Sequence, residues 1–148
     1  MSSFENRLKQ RKAEMEDIFR RLYESDEKLD DLIDIMKKYH KERNRELKEL
    51  DKKREKDPLW YKRGDMLGLT MYTDLFAGSL KNLKDKVDYL DRLSLKYLHL
   101  MPLLKMPEKD NDGGYAVEDF FSIDPRFGTN EDLAELTAQL RKHGISLC

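Results

Sequence analysis

Met66-Leu67-Gly68-Leu69-Thr70-Met71-Tyr72-Thr73-Asp74 is a short, largely apolar run that reads as a β-strand. Outward from it, Leu80, Leu83, Val87 and Leu90 recur at helical steps and predict an amphipathic helix. Leu95-Lys96-Tyr97-Leu98-His99-Leu100 reads as a second strand, ended by Pro102. A long polar loop follows. Thr129 and Asp132 then form an N-cap and capping-box pair, with Asp where Glu or Gln is usual. The helix they start points Leu133, Leu136 and Leu140 inward, with Ala134 beside them, and Gly144 stops it. Ile145 to Cys148 opens a third apolar strand. Strand, helix, strand, helix, strand is the pattern of βαβ units around a parallel sheet, with right-handed crossovers. The class is α/β. Three strands with two helices close nothing, so the run reads as the beginning of a larger unit.

The stretch before it is of another kind. The chain of 148 residues is 40% charged and 39% hydrophobic, against about 25% charged in an ordinary domain. Residues 1–57 alone carry 17 Lys or Arg and 16 Asp or Glu, which places a boundary near Asp57-Pro58. The expected organisation is a charged helical domain of two helices over 1–57, then the α/β part over 58–148. Phe4, Leu8, Met15, Ile18, Phe19 and Leu22 stripe the first helix. Ser25 or Asp26 is placed to cap the second, which carries Leu29, Leu32, Ile33, Met36, Leu47 and Leu50. The stripe thins between Tyr39 and Glu46. The run from Lys48 to Lys56 interleaves both signs at helical spacing, so it reads as a solvated face. Two such helices make a thin core and need to dock on the second half or on further chain.

Several classes are excluded. A net charge of −1 gives no basic footprint for nucleic acid. No apolar run approaches the roughly 20 residues that cross a bilayer. The start of the chain shows no signal-peptide pattern, and a single cysteine, Cys148, allows no internal disulfide, so a reducing cytoplasm is expected. No Cys/His cluster has zinc spacing, and no metal or organic cofactor is implied. His99 reads as a core histidine, and His40 and His143 as exposed. Asp74 reads as a residue that holds loops together, Trp60-Tyr61 as a packing anchor. Asn111-Asp112-Gly113-Gly114 has, by local chemistry, the composition of a turn.

Four runs carry a resemblance. They are Tyr72-Thr73-Asp74-Leu75-Phe76-Ala77-Gly78-Ser79-Leu80, Tyr97-Leu98-His99-Leu100-Met101-Pro102-Leu103-Leu104, Asp112-Gly113-Gly114-Tyr115-Ala116-Val117 and Ile123-Asp124-Pro125-Arg126-Phe127-Gly128-Thr129. In unbroken order over most of 58–148 they resemble the amylosucrases of glycoside hydrolase family 13, the α-amylase family. The resemblance implies an incomplete (β/α)8 (TIM) barrel, holding its first three strands and two helices and truncated in strand three. A full barrel needs eight strands and about 250 residues. It also implies a retaining glucosyltransferase that moves glucose from sucrose to an α-1,4-glucan and releases fructose. Retention uses two carboxyl groups about 5–5.5 Å apart. In the family these follow strands four and five, so none of the catalytic residues is expected in this chain, nor the Asp-x-x-x-Asn-His motif.

Two residues carry over. Asp112 matches the carboxylate that fixes the non-reducing end of the glucosyl ring and pairs with an arginine from later in the chain. A carboxylate can accept from two sugar hydroxyls. Tyr115 matches the tyrosine that stacks on that ring. Gly113 and Gly114 free the backbone to bring both residues into the pocket. The resemblance makes sucrose and α-glucan the partners of the full enzyme. The chain alone is expected to be inactive, and its uncovered strand edges to favour self-association. Two readings compete: another family 13 enzyme, a sucrose hydrolase or trehalose-forming mutase, or a non-catalytic helical interaction module.

Overall fold

The computed structural model describes residues 3–148. It divides into two compact units, one ending at Pro58 and one running from Leu59 to Cys148.

The first unit is helical throughout its regular structure: α1 (Ser3–Tyr23), α2 (Leu29–Glu42) and α3 (Arg45–Lys56). That is three helices where the hydrophobic stripe predicts two. The break falls at Arg43-Asn44, where the stripe thins. Asn44 leaves the helical conformation and its side chain accepts from Leu47 N–H at 2.9 Å, as an N-cap does. Arg43 then grips Asp51 with two nitrogens, at 2.7 and 2.9 Å, and fixes the bend. The expected caps of α2 are also corrected. Asp26 is engaged by Arg20 at 2.7 Å, Ser25 accepts from Glu27 N–H at 3.1 Å, and α2 starts after Lys28 with no side-chain cap. His40 is half-buried rather than exposed, because its ring stacks on Phe4 with centroids 4.3 Å apart.

The second unit has a parallel sheet of β1 (Gly68–Met71), β2 (Tyr97–Leu100) and β5 (Ser146–Leu147), in the order β1-β2-β5. The three expected strands are all present, each shorter than its apolar run. Register puts Gly68 opposite Tyr97 and Met71 opposite Leu100, and Tyr97 opposite Ser146. The single expected helix between β1 and β2 is three short ones: α4 (Thr73–Ala77), α5 (Leu80–Lys84) and α6 (Val87–Arg92). Gly78 and the Asp85-Lys86 turn interrupt it, and Ser79 caps α5 by accepting from Asn82 N–H.

Strand side chains alternate between two faces. On one face of β2 and β1 lie Leu98, Leu100 and Met71, all buried against the helices; on the other lie Tyr97, His99, Thr70 and Gly68, which are half-buried or exposed. The buried set joins Leu80, Leu83, Val87 and Leu90 from the helices in one core.

The helix α7 (Asn130–Lys142) packs on the same side through Leu136 and Leu140, while Ala134 is exposed. Its capping box forms as expected. Asp132 N–H donates to Thr129 Oγ1 at 3.2 Å and Thr129 N–H to Asp132 Oδ2 at 3.1 Å. The shorter Asp reaches because Gly128 precedes it, at φ +138°. A Cβ there would stand 2.9 Å from Asp132 Oδ2. Past α7, His143 is not free: its Nδ1 lies 2.9 Å from Asp91 Oδ2, which ties the end of α7 to α6.

Candidate functional site

The chain leaves β1 and β2 at the same edge of the sheet, since the two run parallel. Pairing continues one step past the strands, with Met101 N–H donating to Met71 C=O at 2.9 Å. Loops at this carboxyl edge carry the sites of parallel α/β proteins. The β2 loop, Met101 to Gly128, holds both sequence-predicted binding residues.

This loop has regular structure that the sequence reading missed. β3 (Leu104–Lys105) and β4 (Asp119–Ile123) pair antiparallel. Leu104 faces Ile123 and Lys105 faces Asp119, so Phe120, Phe121 and Ser122 form a bulge with no opposite partner. The hairpin is locked by Asp124, which is buried. Its backbone N–H donates to Leu103 C=O at 2.8 Å. Its carboxylate accepts from Arg126 Nε at 2.8 Å, Arg126 N–H at 3.0 Å and Met106 N–H at 3.4 Å. Burial works against the charge of Asp124. The Arg126 side chain and the two backbone donors outweigh it and hold the carboxyl below the usual range. Arg126 is raised in turn, first by its hydrogen bond to Asp124, with the Asp74 carboxylate adding its field. Asp74 lies in α4, past the strand it was expected to end.

Asp112, Gly113 and Gly114 make a single 3-10 turn inside the hairpin. All three have positive φ, at +49°, +67° and +97°. The turn is held by Gly114 N–H and Ala116 N–H, which donate to Asn111 C=O at 2.9 and 3.0 Å. The Asn111 side chain donates to Pro107 C=O at 3.1 Å. Gly114 is buried, and a Cβ there would meet Pro102 Cβ at 3.0 Å and the end of Met106 at 3.1 Å. Glycine at this point lets the turn lie against the hairpin's base. Asp112 is exposed and its carboxylate takes no partner among the described residues. Tyr115 is 62% exposed, and its hydroxyl reaches Met101 Sδ at 3.9 Å. The turn thus presents one free carboxylate and one largely open aromatic ring, on a backbone fixed from beneath. That pair can accept hydroxyl hydrogen bonds and stack a flat apolar face.

The other candidates stay apart. His99 lies on the open sheet face, and no group of three His, Cys, Asp or Glu among the described residues could hold a metal ion. Trp60 and Tyr61 meet edge to face at 5.9 Å. The missed residues, Asp124 and Asn130, had a faint sequence signal in Ile123-Asp124-Pro125, where a β-rich run ends at Pro.

A parallel α/β sheet begun strand by strand, with its polar site on a carboxyl-edge loop, defines the opening of a β/α-barrel protein. Residues 18–148 match the model of the alpha amylase catalytic domain, and the chain belongs to the α-amylase family. It is 36% identical to an intracellular maltogenic amylase of Bacillus subtilis over 74 residues, covering 50% of this chain and 12% of that one. It is 41% identical to the amino acid transporter heavy chain SLC3A1 of Rattus norvegicus over 70 residues, 47% of this chain and 10% of that one. The fold is similar to that of a MutB mutant solved with the substrate sucrose. The TM-score is 0.50 and the identity 29%, over 61% of this chain and 16% of the other. The chain therefore spans about an eighth of the curated relatives it matches. No helix among the described residues is long and apolar enough to cross a membrane.

Proposed function

We propose that the chain is the N-terminal portion of an amylosucrase-like retaining enzyme. That enzyme transfers glucose from sucrose to an α-1,4-glucan and releases fructose, in the cytoplasm. The observation that carries the reading is the Asp112–Tyr115 turn. Asp112 would accept from hydroxyls at the closed end of the glucosyl ring, and Tyr115 would stack on its face. The strained conformation of Asp112 supports a binding role, since such φ values in a non-glycine residue gather at functional sites. Sucrose as the donor is favoured by the MutB likeness. The catalytic carboxylates lie outside residues 1–148 in this reading, so the chain has binding residues and no acid, base or nucleophile of its own.

The coding sequence past Cys148 and the product it encodes test this. An in-frame Asp-x-x-x-Asn-His and fructose release from sucrose by the extended product are the expected results. Fructose release by the 148-residue chain itself would sink the division of labour. A second reading, a non-catalytic module, is favoured by the likeness to a transporter heavy chain. It predicts no sucrose turnover by the extended product either.

A further inference from the structure

The bulge at Phe120–Ser122 is built. Each exposed step is held by a side chain, and two polar residues are committed to holding it. Asp119 accepts from Phe121 N–H at 2.8 Å and from the Ser122 hydroxyl. Asn130, the first residue of α7, donates to Phe121 C=O at 2.8 Å and accepts from Ile123 N–H at 2.9 Å. The hydrogen bonds to Asp119 hold its carboxyl below the ordinary range. What this scaffold presents is apolar: Phe120 is 71% exposed and Phe121 88%. A rigid backbone that carries two phenyl rings into solvent is not explained by the core, since neither ring belongs to it. Bulges next to sites serve to aim side chains.

We propose that Phe120 and Phe121 form an aromatic platform for an α-glucan chain, separate from the Asp112–Tyr115 turn on the same loop. The inference rests on the saccharide reading for its ligand class. A phenyl face carries negative charge, and the C–H face of a pyranose ring is apolar and weakly positive, so the two stack. A pair of rings without a charged partner selects ring faces and not a sugar end. It suits a repeating chain better than one glucosyl unit.

Native electrophoresis of the 148-residue chain through gels with and without soluble starch tests this, followed by titration with maltoheptaose. Starch should retard the chain, and Phe121→Ala should weaken the effect by about tenfold, as loss of a central aromatic contact does. Asp112→Ala should leave it unchanged. Phe121→Leu keeps the apolar bulk and the fold but not the flat ring, and should lose binding as Phe121→Ala does. Absence of retardation, or full retardation with Phe121→Leu, overturns the platform. Equal losses in Asp112→Ala and Phe121→Ala would place the glucan in the turn and overturn it as a separate site. Retardation that depends on Phe121, beside an extended product that ignores sucrose, leaves the platform standing and removes the sucrose reading.

Discussion

Among the described residues up to Pro58, Leu29 and Ile33 are the buried apolar side chains, whereas fourteen buried residues of the second unit form one continuous core. The helical unit has stripes as regular as any in the α/β unit, yet Ile18, Leu22 and Tyr39 remain 47%, 70% and 65% exposed. It leans instead on turns and ion pairs such as Arg43–Asp51 and Arg7–Glu55, most of whose members are exposed. Exposed pairs contribute about 0–1 kcal/mol each, while a buried Leu contributes several times that. Periodicity thus announces helices in both units, but only in the second does it announce a core.

The largest effect should come from Leu98→Ala, since Leu98 is fully buried at the middle of β2. A loss of about 3–4 kcal/mol is expected. Hydrogen exchange should show it as lost protection within residues 59–148. The same truncation at Leu22 should stay within about 0.5 kcal/mol. Comparable losses at the two positions would break the contrast.

Asp124→Asn comes next, at about 2 kcal/mol at neutral pH. The figure is held down because the Arg126 side chain is 60% exposed and its attraction is screened. Asp124 has a lowered folded-state value. Its contribution is therefore present above the ordinary carboxylate range, near pH 3.9, and is lost as pH falls through the folded value. Urea midpoints of wild type and variant should converge in acid. A gap that persists below the folded value would mean that shape, not charge, locks the hairpin.

Asn44→Ala should have the smallest effect, about 1 kcal/mol, confined to the helical unit and read as lost helical ellipticity on heating. If α2 and α3 instead merge and ellipticity rises, the continuous helix that the stripe predicts was held apart by one cap.

The parts of the fold legible from sequence were those where pattern and burial agree. Leu80, Leu83, Val87 and Leu90 have one reading because one face has one destination. The Thr129–Asp132 box was legible because its chemistry is local. The hairpin was not. Leu104 and Asp119 meet across the polar turn, and nothing near either residue in sequence reports the other. The α2–α3 break was half legible, since the thinning stripe marked it and Asn44 could have been read as a cap. Asp112 and Tyr115 were found through resemblance rather than composition, because Asn-Asp-Gly-Gly is as good a turn as it is a site. Asp124 went unread as a site residue because a buried aspartate needs its donors to be seen.

The sheet order has a kinetic consequence. β2 is central, but its partners emerge at different times: Gly68 meets Tyr97 after about thirty residues, and Tyr97 meets Ser146 only after about fifty more. Closing longer loops loses more chain entropy before any contact returns it. During synthesis the β1–β2 pair and its three short helices are therefore ready to condense while the hairpin and α7 are still unmade. β5 then adds to an edge that has been waiting for it. That open edge of β2 is the most vulnerable surface the nascent chain exposes, and α7, made before β5, is the element placed to bring the correct strand to it.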